Sequence, residues 1–301
     1  MMITSEQTSR QNRYELRNRY VFRGKITMQT ALHIGGGKVT LSGSDSPVVL
    51  TPDQKPFIPG SSLKGALRST IEKIVPGLPS SANLFSCALI ELNDTALAEQ
   101  RAEGKNICPT VRQGEITRER RDNPAEAAAI LTRAIDDLCS TCRLFGSPFA
   151  AARLNVSDLY MPAEEWAGVI QRRDGVAIDR DSEKAKDRLK YDFEVVPASA
   201  SFNLEIVLEN ATTQDLQLIC IGLSEFVHGF GVIGGKRSRG LGVSLLEDLH
   251  VWELELVGEG IDDAERNRRL RDFLVHKRFS REAVPGEEFL QKYIESIFKE
   301  G

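Results

Sequence analysis

At 301 residues and 41% apolar content the chain can bury a substantial core, and its length allows one large domain or two. No segment reaches the uninterrupted apolar run of a membrane helix, and the first twenty residues carry no apolar leader, so the cytoplasm is the expected address. A formal charge of −4 and a pI near 5.8 argue against a surface coated with nucleic acid but leave room for one basic groove.

Residues 1–19 are polar and read as a loose arm. From Tyr20 to His33, Phe22, Ile26, Met28 and Leu32 occupy even positions, which predicts a strand with one buried face, ended by Gly35, Gly36 and Gly37. A polar loop from Lys38 to Asp45 leads to a short strand at Pro47, Val48, Val49 and Leu50. Leu63, Leu67, Ile71 and Ile74 then recur at helical spacing, with Ser61 or Ser62 placed to cap the first turn. Residues 77–142 read as an insertion containing a helix from Pro124 to Leu138. Strand character returns from Leu154 to Met161.

Residues 171–191 are dense in charge and short of apolar side chains, which predicts a projecting hairpin. Phe202, Leu204, Ile206 and Leu208 alternate with polar neighbours as a strand, and Leu216, Ile219, Leu223 and Phe226 mark a helix. Two short strands follow, Gly242 to Leu246 and Leu249 to Leu256, before a charged helical tail over 255–301. This order predicts an α+β fold, a ferredoxin-like (RRM-like) antiparallel sheet with helices on one face, occupying 20–254 as a single domain.

Six of the 24 glycines fall between Gly229 and Gly242, interleaved with Lys236, Arg237 and Arg239. Glycine lets a ligand approach the backbone, and adjacent cations suit phosphate, so this loop points to a polyanion. Gly229, Gly231 and Gly234 also satisfy the dinucleotide fingerprint of an oxidoreductase. That fingerprint should follow a strand and open a helix, whereas here a helix precedes it. Arg237 stands where a Walker A loop needs Ser or Thr.

With thiols reduced in the cytoplasm, the five cysteines read as core residues, metal ligands or nucleophiles. Cys139 and Cys142 have the spacing of two ligands on one tetrahedral zinc, and Cys87 and Cys108 complete a candidate four-thiolate site for an insertion with little apolar core. Four buried free thiols are the other reading, and Cys220 reads as core packing. His33 and His228 both abut glycine loops, which keeps imidazole acid–base chemistry open.

The segment Phe57-Ile58-Pro59-Gly60-Ser61-Ser62-Leu63-Lys64-Gly65-Ala66-Leu67-Arg68 resembles the RAMP superfamily of CRISPR-associated proteins. So do His33-Ile34-Gly35-Gly36, Gly43-Ser44-Asp45-Ser46-Pro47-Val48, Cys142-Arg143-Leu144-Phe145-Gly146-Ser147 with Val156-Ser157-Asp158-Leu159, and the glycine loop. The similarity is greatest to the repeating backbone subunits of type III effector complexes. It implies a ferredoxin-like palm, assembly on guide RNA (crRNA) with other effector subunits including related RAMP proteins, a thumb hairpin at 171–191, and cutting of complementary target RNA with Mg2+ or Mn2+.

On that resemblance Asp45 is the catalytic candidate, holding a hydrated metal or orienting a ribose hydroxyl; an aspartate before Ser46-Pro47 is also an ordinary turn residue. Ser61, Ser62, Lys64 and Arg68 are candidates for the guide backbone, since Lys64 and Arg68 lie one helical turn apart near an N-terminus. Arg172 and Arg180 of the hairpin, and Gly234, Gly235, Lys236, Arg237 and Arg239 of the loop, complete the expected RNA contacts. A non-cutting guide scaffold and a guide-processing endoribonuclease are the neighbouring alternatives.

Overall fold

The computed structural model describes residues 15–36, 43–90, 93–103, 107–166, 168–178 and 185–299, with 176–178 and 185–190 as backbone. Its centre is strand β1, Asn18–Met28, whose even-numbered residues Tyr20, Phe22, Ile26 and Met28 are buried as the alternation predicts. Strand β7 (Ser201–Glu209) pairs with one edge of β1 and strand β9 (Val243–Glu255) with the other, both antiparallel. Strand β3 (Leu154–Val156) adds to β7, giving the lateral order β9-β1-β7-β3. With helix α1 (Gly60–Ile74) between β1 and β3 and helix α6 (Thr213–Val227) between β7 and β9, the chain follows the β-α-β-β-α-β path of a ferredoxin-like sheet.

The two short strands expected after the glycine loop are one strand. The break read at Glu247 and Asp248 is a bulge, where the β1 register slips between Arg23 and Lys25 and Asp248 takes φ 53°. Gly24 sits opposite; a Cβ there would lie 2.9 Å from the Glu247 carbonyl. The predicted strand at 47–50 is reduced to isolated bridges, Gly35 to Val48 and Leu50 to Pro56.

Helix α1 buries Leu63, Leu67 and Ile71, as its spacing predicts, but neither Ser61 nor Ser62 caps it. Pro59 is the N-cap, and the Gly60 amide donates to Asp158 Oδ1 at 2.7 Å, so the cap comes from a residue 98 positions away. Gly60 is obligatory, because a Cβ would meet the Val156 carbonyl at 2.2 Å. Helix α6 starts on a capping box, Thr212 with Asp215, and Arg153 pairs with the buried Asp215 at 2.5 Å. Cys220 lies in the core as expected, and burial pushes its thiol pKa up.

The insertion carries α2 (Asp94–Ala102), α3 (Gln113–Asp122), α4 (Ala127–Asp136) and α5 (Ser140–Phe145). The helix expected from Pro124 begins as a 3₁₀ turn, Pro124–Glu126, before α4. Much of its apolar burial lies in two small clusters apart from the palm core, Cys108, Leu138, Cys139 and Cys142 in one, Ile116, Ile130 and Ala134 in the other. Strands β5 (Gln171–Ile178) and β6 (Ala185–Val195) form a separate two-stranded antiparallel ladder, and β2 (Phe57–Ile58) with β4 (Leu159–Tyr160) another.

The C-terminal segment departs from the expected charged tail. Helix α7, Asp263–His276, has no buried residue, in keeping with its charge. Strand β10 (Val284–Pro285) then pairs with β9, and helix α8 (Gly286–Phe298) buries Phe289, Leu290 and Ile297 in the main core. The Phe289 ring stands edge-on to Phe22 with centroids 5.7 Å apart. Phe289, Leu290, Tyr293, Ile294 and Ile297 share one helical face, a stripe concealed by the surrounding charges.

Phe289→Ala should therefore lower stability by about 3–5 kcal/mol, whereas Leu274→Ala, at a side chain 68% exposed on α7, should stay within about 0.5 kcal/mol. Denaturant unfolding of the two variants checks whether α8 belongs to the core.

Candidate nucleic-acid interface and metal centre

Arg172 of the hairpin, the Asp45 loop and the glycine loop meet at the root of β6, residues 191–195. Strand geometry turns successive side chains to opposite faces. Tyr191, Phe193 and Val195 pack with Ala31 and Leu241 on one side, while Asp192 and Glu194 face the segment Ser44 to Val48 on the other. Gly175 of β5 faces Tyr191 in the ladder, and a Cβ there would lie 2.4 Å from the Tyr191 ring.

On the acidic side, Asp192 Oδ1 accepts from Ser44 Oγ at 2.6 Å and from the Asp45 amide at 2.9 Å. Asp45 Oδ2 in turn accepts from the Asp192 amide at 3.0 Å. Asp192 Oδ2 takes Arg172 of β5, and these donors, Ser44 first, hold the Asp192 carboxyl below its ordinary value. Glu194 continues the seam: its amide donates to the Ser46 carbonyl at 3.0 Å and its Oε2 accepts from the Val48 amide at 3.1 Å. Asp45 itself is exposed.

His33 closes this seam from below. Nδ1 donates to the Glu194 carbonyl at 2.7 Å, and Nε2 is hydrogen-bonded with Ser46 Oγ at 3.3 Å. The ring is buried against Phe193, a structural placement, and His228 lies at the C-cap of α6.

On the aromatic side stands the glycine loop. It follows helix α6 and leads through β8 (Gly231–Val232) toward β9, the reverse of a dinucleotide site. Two of its glycines admit the protein's own backbone: at Gly234, φ 87°, a Cβ would lie 2.4 Å from the His33 carbonyl, and at Gly242, φ 87°, 2.0 Å from that of Ile233. The Gly235 amide donates to the His33 carbonyl at 2.8 Å. Lys236 Nζ lies 4.5 Å from the Phe193 ring centroid and 5.3 Å from that of Tyr191, and Arg239 bonds the Tyr191 hydroxyl. Arg237 donates to the Gly234 carbonyl at 3.1 Å from an exposed side chain.

The remaining sequence candidates lie elsewhere. Ser61 is exposed and Ser62 half-buried on the first turn of α1. Lys64 Nζ donates to the Leu154 carbonyl at 3.0 Å, and burial, then Arg68, lowers its pKa. Arg68, expected to contact the guide backbone, is held by Glu72 at 2.8 Å and donates to Gly146 O at 3.4 Å and Cys142 Sγ at 3.3 Å. Arg180 lies outside the described residues. Arg19 and Arg23 pair across the sheet with Glu209 and Glu205, and Lys25 pairs with Glu165 of a 3₁₀ turn, so all three cations have carboxylate partners. Sequence reasoning missed Asp192, Tyr191, Phe193 and Glu194; their period-two alternation in a charged hairpin was the available signal.

The four insertion cysteines come together. Cys87, Cys108, Cys139 and Cys142 place their sulfurs within 4.8 Å of one another, three of them buried, and Cys87 and Cys142 are 3.5 Å apart. Cys139 caps α5 by accepting from the Cys142 amide at 3.4 Å, which turns both sulfurs of the C-x2-C pair to one side. Contact with Cys108 above all draws the Cys139 thiol pKa down and pushes that of Cys87 up. A sulfur set of this size and type fits a tetrahedral divalent ion such as zinc.

The chain is 25% identical over 256 residues to the CRISPR system Cms endoribonuclease Csm3 of Methanocaldococcus jannaschii, across 78% of this chain and 81% of that protein. A 60-residue stretch is 50% identical to the protein of the same name from Enterococcus italicus, 18% of this chain and 28% of that one. Another of 56 residues is 45% identical to its namesake from Methanothermobacter thermautotrophicus, 18% and 23% respectively. Among the described residues no helix is long and apolar enough to cross a membrane. The RAMP superfamily model matches residues 25–244, well over half of the chain, and the protein belongs to that superfamily.

Proposed function

We propose that this chain is a guide-RNA-binding backbone subunit of a type III CRISPR effector complex, working with other effector subunits, and that it cuts complementary target RNA with Mg2+ or Mn2+. The observation that carries the reading is the exposed Asp45 carboxylate, held on β6 at the root of the hairpin and across that strand from a cation-bearing loop. The endoribonuclease named among its relatives supports it.

The chain's residues divide the work. The β5–β6 hairpin acts as the thumb that parts the guide–target duplex, and Arg172, Arg180, Lys236, Arg237 and Arg239 supply positive charge for phosphates. Gly234 and Gly235 set the shape of their loop, and the α1 N-terminus with Ser61, Ser62 and Lys64 faces the guide backbone. Arg68 serves that surface indirectly, by tying α1 to Cys142. Asp45, with one carboxylate oxygen accepting from Asp192, fits a hydrated divalent ion, which binds through one or two carboxylates plus substrate phosphate. When bound, such an ion supplies charge neutralisation at the scissile phosphate. The ribose 2′-oxygen attacks the adjacent phosphorus, the 5′-oxygen leaves, and the fragments carry a cyclic phosphate and a 5′-hydroxyl. Cys87, Cys108, Cys139 and Cys142 hold a structural zinc.

In the assembled complex, Asp45→Ala should abolish target cutting while guide and target binding stay near wild type, because the loop bears on the transition state more than on the duplex. Gel analysis of a labelled complementary RNA, with and without chelator, decides; a wild-type complex that binds target and never cuts leaves the non-cutting scaffold.

Replacing Lys236, Arg237 and Arg239 together by alanine should make the salt dependence of guide binding shallower by about two to three units. Loss of the aromatic contacts of Lys236 and Arg239 should cost about 0.5–1 kcal/mol of stability each. An unchanged salt slope means that the loop faces away from RNA.

The purified chain should contain about one equivalent of zinc. Cys139→Ser with Cys142→Ser should lose it and expose residues 77–142 to protease before the palm unfolds. Metal content below about a tenth of an equivalent, with all four thiols freely reactive, identifies plain buried cysteines.

A further inference from the structure

Asp45 lies on a polar loop whose described part, from Gly43 onward, is exposed or half-buried until Pro47. A catalytic group must be held within about 0.5 Å of its working position, and a misplacement of about 1 Å costs roughly 10²-fold in rate. A solvent-facing loop does not supply that precision unless something outside it does. The fixed partner is Asp192. Its Oδ1 accepts from both Ser44 Oγ at 2.6 Å and the Asp45 amide at 2.9 Å, while its own amide donates to Asp45 Oδ2 at 3.0 Å. The two aspartates thus clasp each other, side chain to backbone in both directions, which fixes the Asp45 side chain and the peptide that carries it.

Asp192 is suited to holding and unsuited to chemistry. Its residue is 9% exposed, and its second oxygen takes Arg172, so both oxygens are engaged by the protein. Arg172 lies on the other strand of the hairpin, diagonal to Asp192 in a ladder that pairs Asp174 with Asp192 and Arg172 with Glu194. Its side chain is 60% exposed, so the pair sits at the boundary between the hairpin and solvent.

We infer that Asp192 is a positioning residue for target cutting, clasping Asp45 in its working place and, through Arg172, fastening that loop to the hairpin. This rests on the cutting role proposed for Asp45. It assigns a residue that acts through another, and it makes Arg172 part of the fastening rather than a simple phosphate contact.

The test uses the assembled complex, single-turnover cutting of a labelled complementary RNA, and hydrogen exchange at the Asp45 amide. Asp192→Ala should slow cutting about 10²-fold with target affinity nearly unchanged, and should speed exchange at that amide. Asp192→Asn keeps an oxygen that accepts from Ser44 and Asp45, and should restore most of the rate and the slow exchange. A thermal midpoint for each variant separates clasp loss from general unfolding, since Asp192→Asn recovers the rate only if the hydrogen bonds matter. Asp192→Ala that cuts at the wild-type rate while Asp45→Ala is inactive overturns the inference alone. So does Asp192→Asn that is as slow as Asp192→Ala with exchange still protected, which assigns the effect to charge instead of placement. A wild-type complex that binds without cutting overturns the cutting role and this inference together.

Discussion

The period-two geometry of five residues at the root of β6 underlies the placement of Asp45, Arg172, Lys236 and Arg239. Tyr191 and Phe193 turn one way and give Lys236 and Arg239 an aromatic bed; Asp192 and Glu194 turn the other way and take the backbone and side chains of Ser44 to Val48. One strand therefore holds two loops that are nearly 200 positions apart in the chain. A shift of register by one residue would exchange the faces, burying carboxylates against Ala31 and Leu241 and leaving aromatics over the Asp45 loop. Gly175 protects that register by leaving space for the Tyr191 ring.

A second constraint acts at α1. Its N-terminus is capped by Asp158, its Lys64 is held by the Leu154 carbonyl, and its Arg68 by Glu72 and by Cys142 of the insertion. The helix that presents Ser61 and Lys64 is thus tied at one end to the β3–β4 segment and at the next turn to the cysteine cluster. The insertion's own apolar clusters are small, so gathering four sulfurs beside Arg68 joins it to the palm where buried area is scarce. Arg68 illustrates how a cation can look like a phosphate ligand in sequence and act as an internal strut: a partly buried guanidinium needs donors satisfied on every side, and here protein atoms satisfy three of its nitrogens.

Much of the palm was legible before any coordinates. β1, β7, α1 and α6 each show the periodicity of their own geometry, because each has one face in a common core and one outside it. The cysteine set was legible as a candidate through its C-x2-C pair. Less legible were elements whose signal is diluted: α8 carries its apolar stripe among lysines and glutamates, and the β9 bulge at Asp248 resembles a turn because a positive φ and two adjacent acids mark both. The serines expected to cap α1 followed a sound local rule that a distant aspartate overrode.

The sequence by itself determined what periodicity and composition encode: an antiparallel sheet with helices on one face, a charged hairpin without its own core, a glycine-rich cationic loop, and membership of a family whose motifs occur in order. Only the tertiary structure decided which charges are committed and to whom. Arg19 and Arg23 are spent on carboxylates across the sheet, Lys25 on Glu165, Arg68 on Glu72 and a thiol, Arg172 on Asp192, and Lys236 on two rings. The physical reason is that an ion pair or a ring contact is set by distances between residues far apart in the chain, while local sequence carries only the side chain's chemistry and its face. Asp192 shows the difference most plainly: in sequence it is one acid in a charged run, and in the fold it is the hydrogen-bond partner of Asp45.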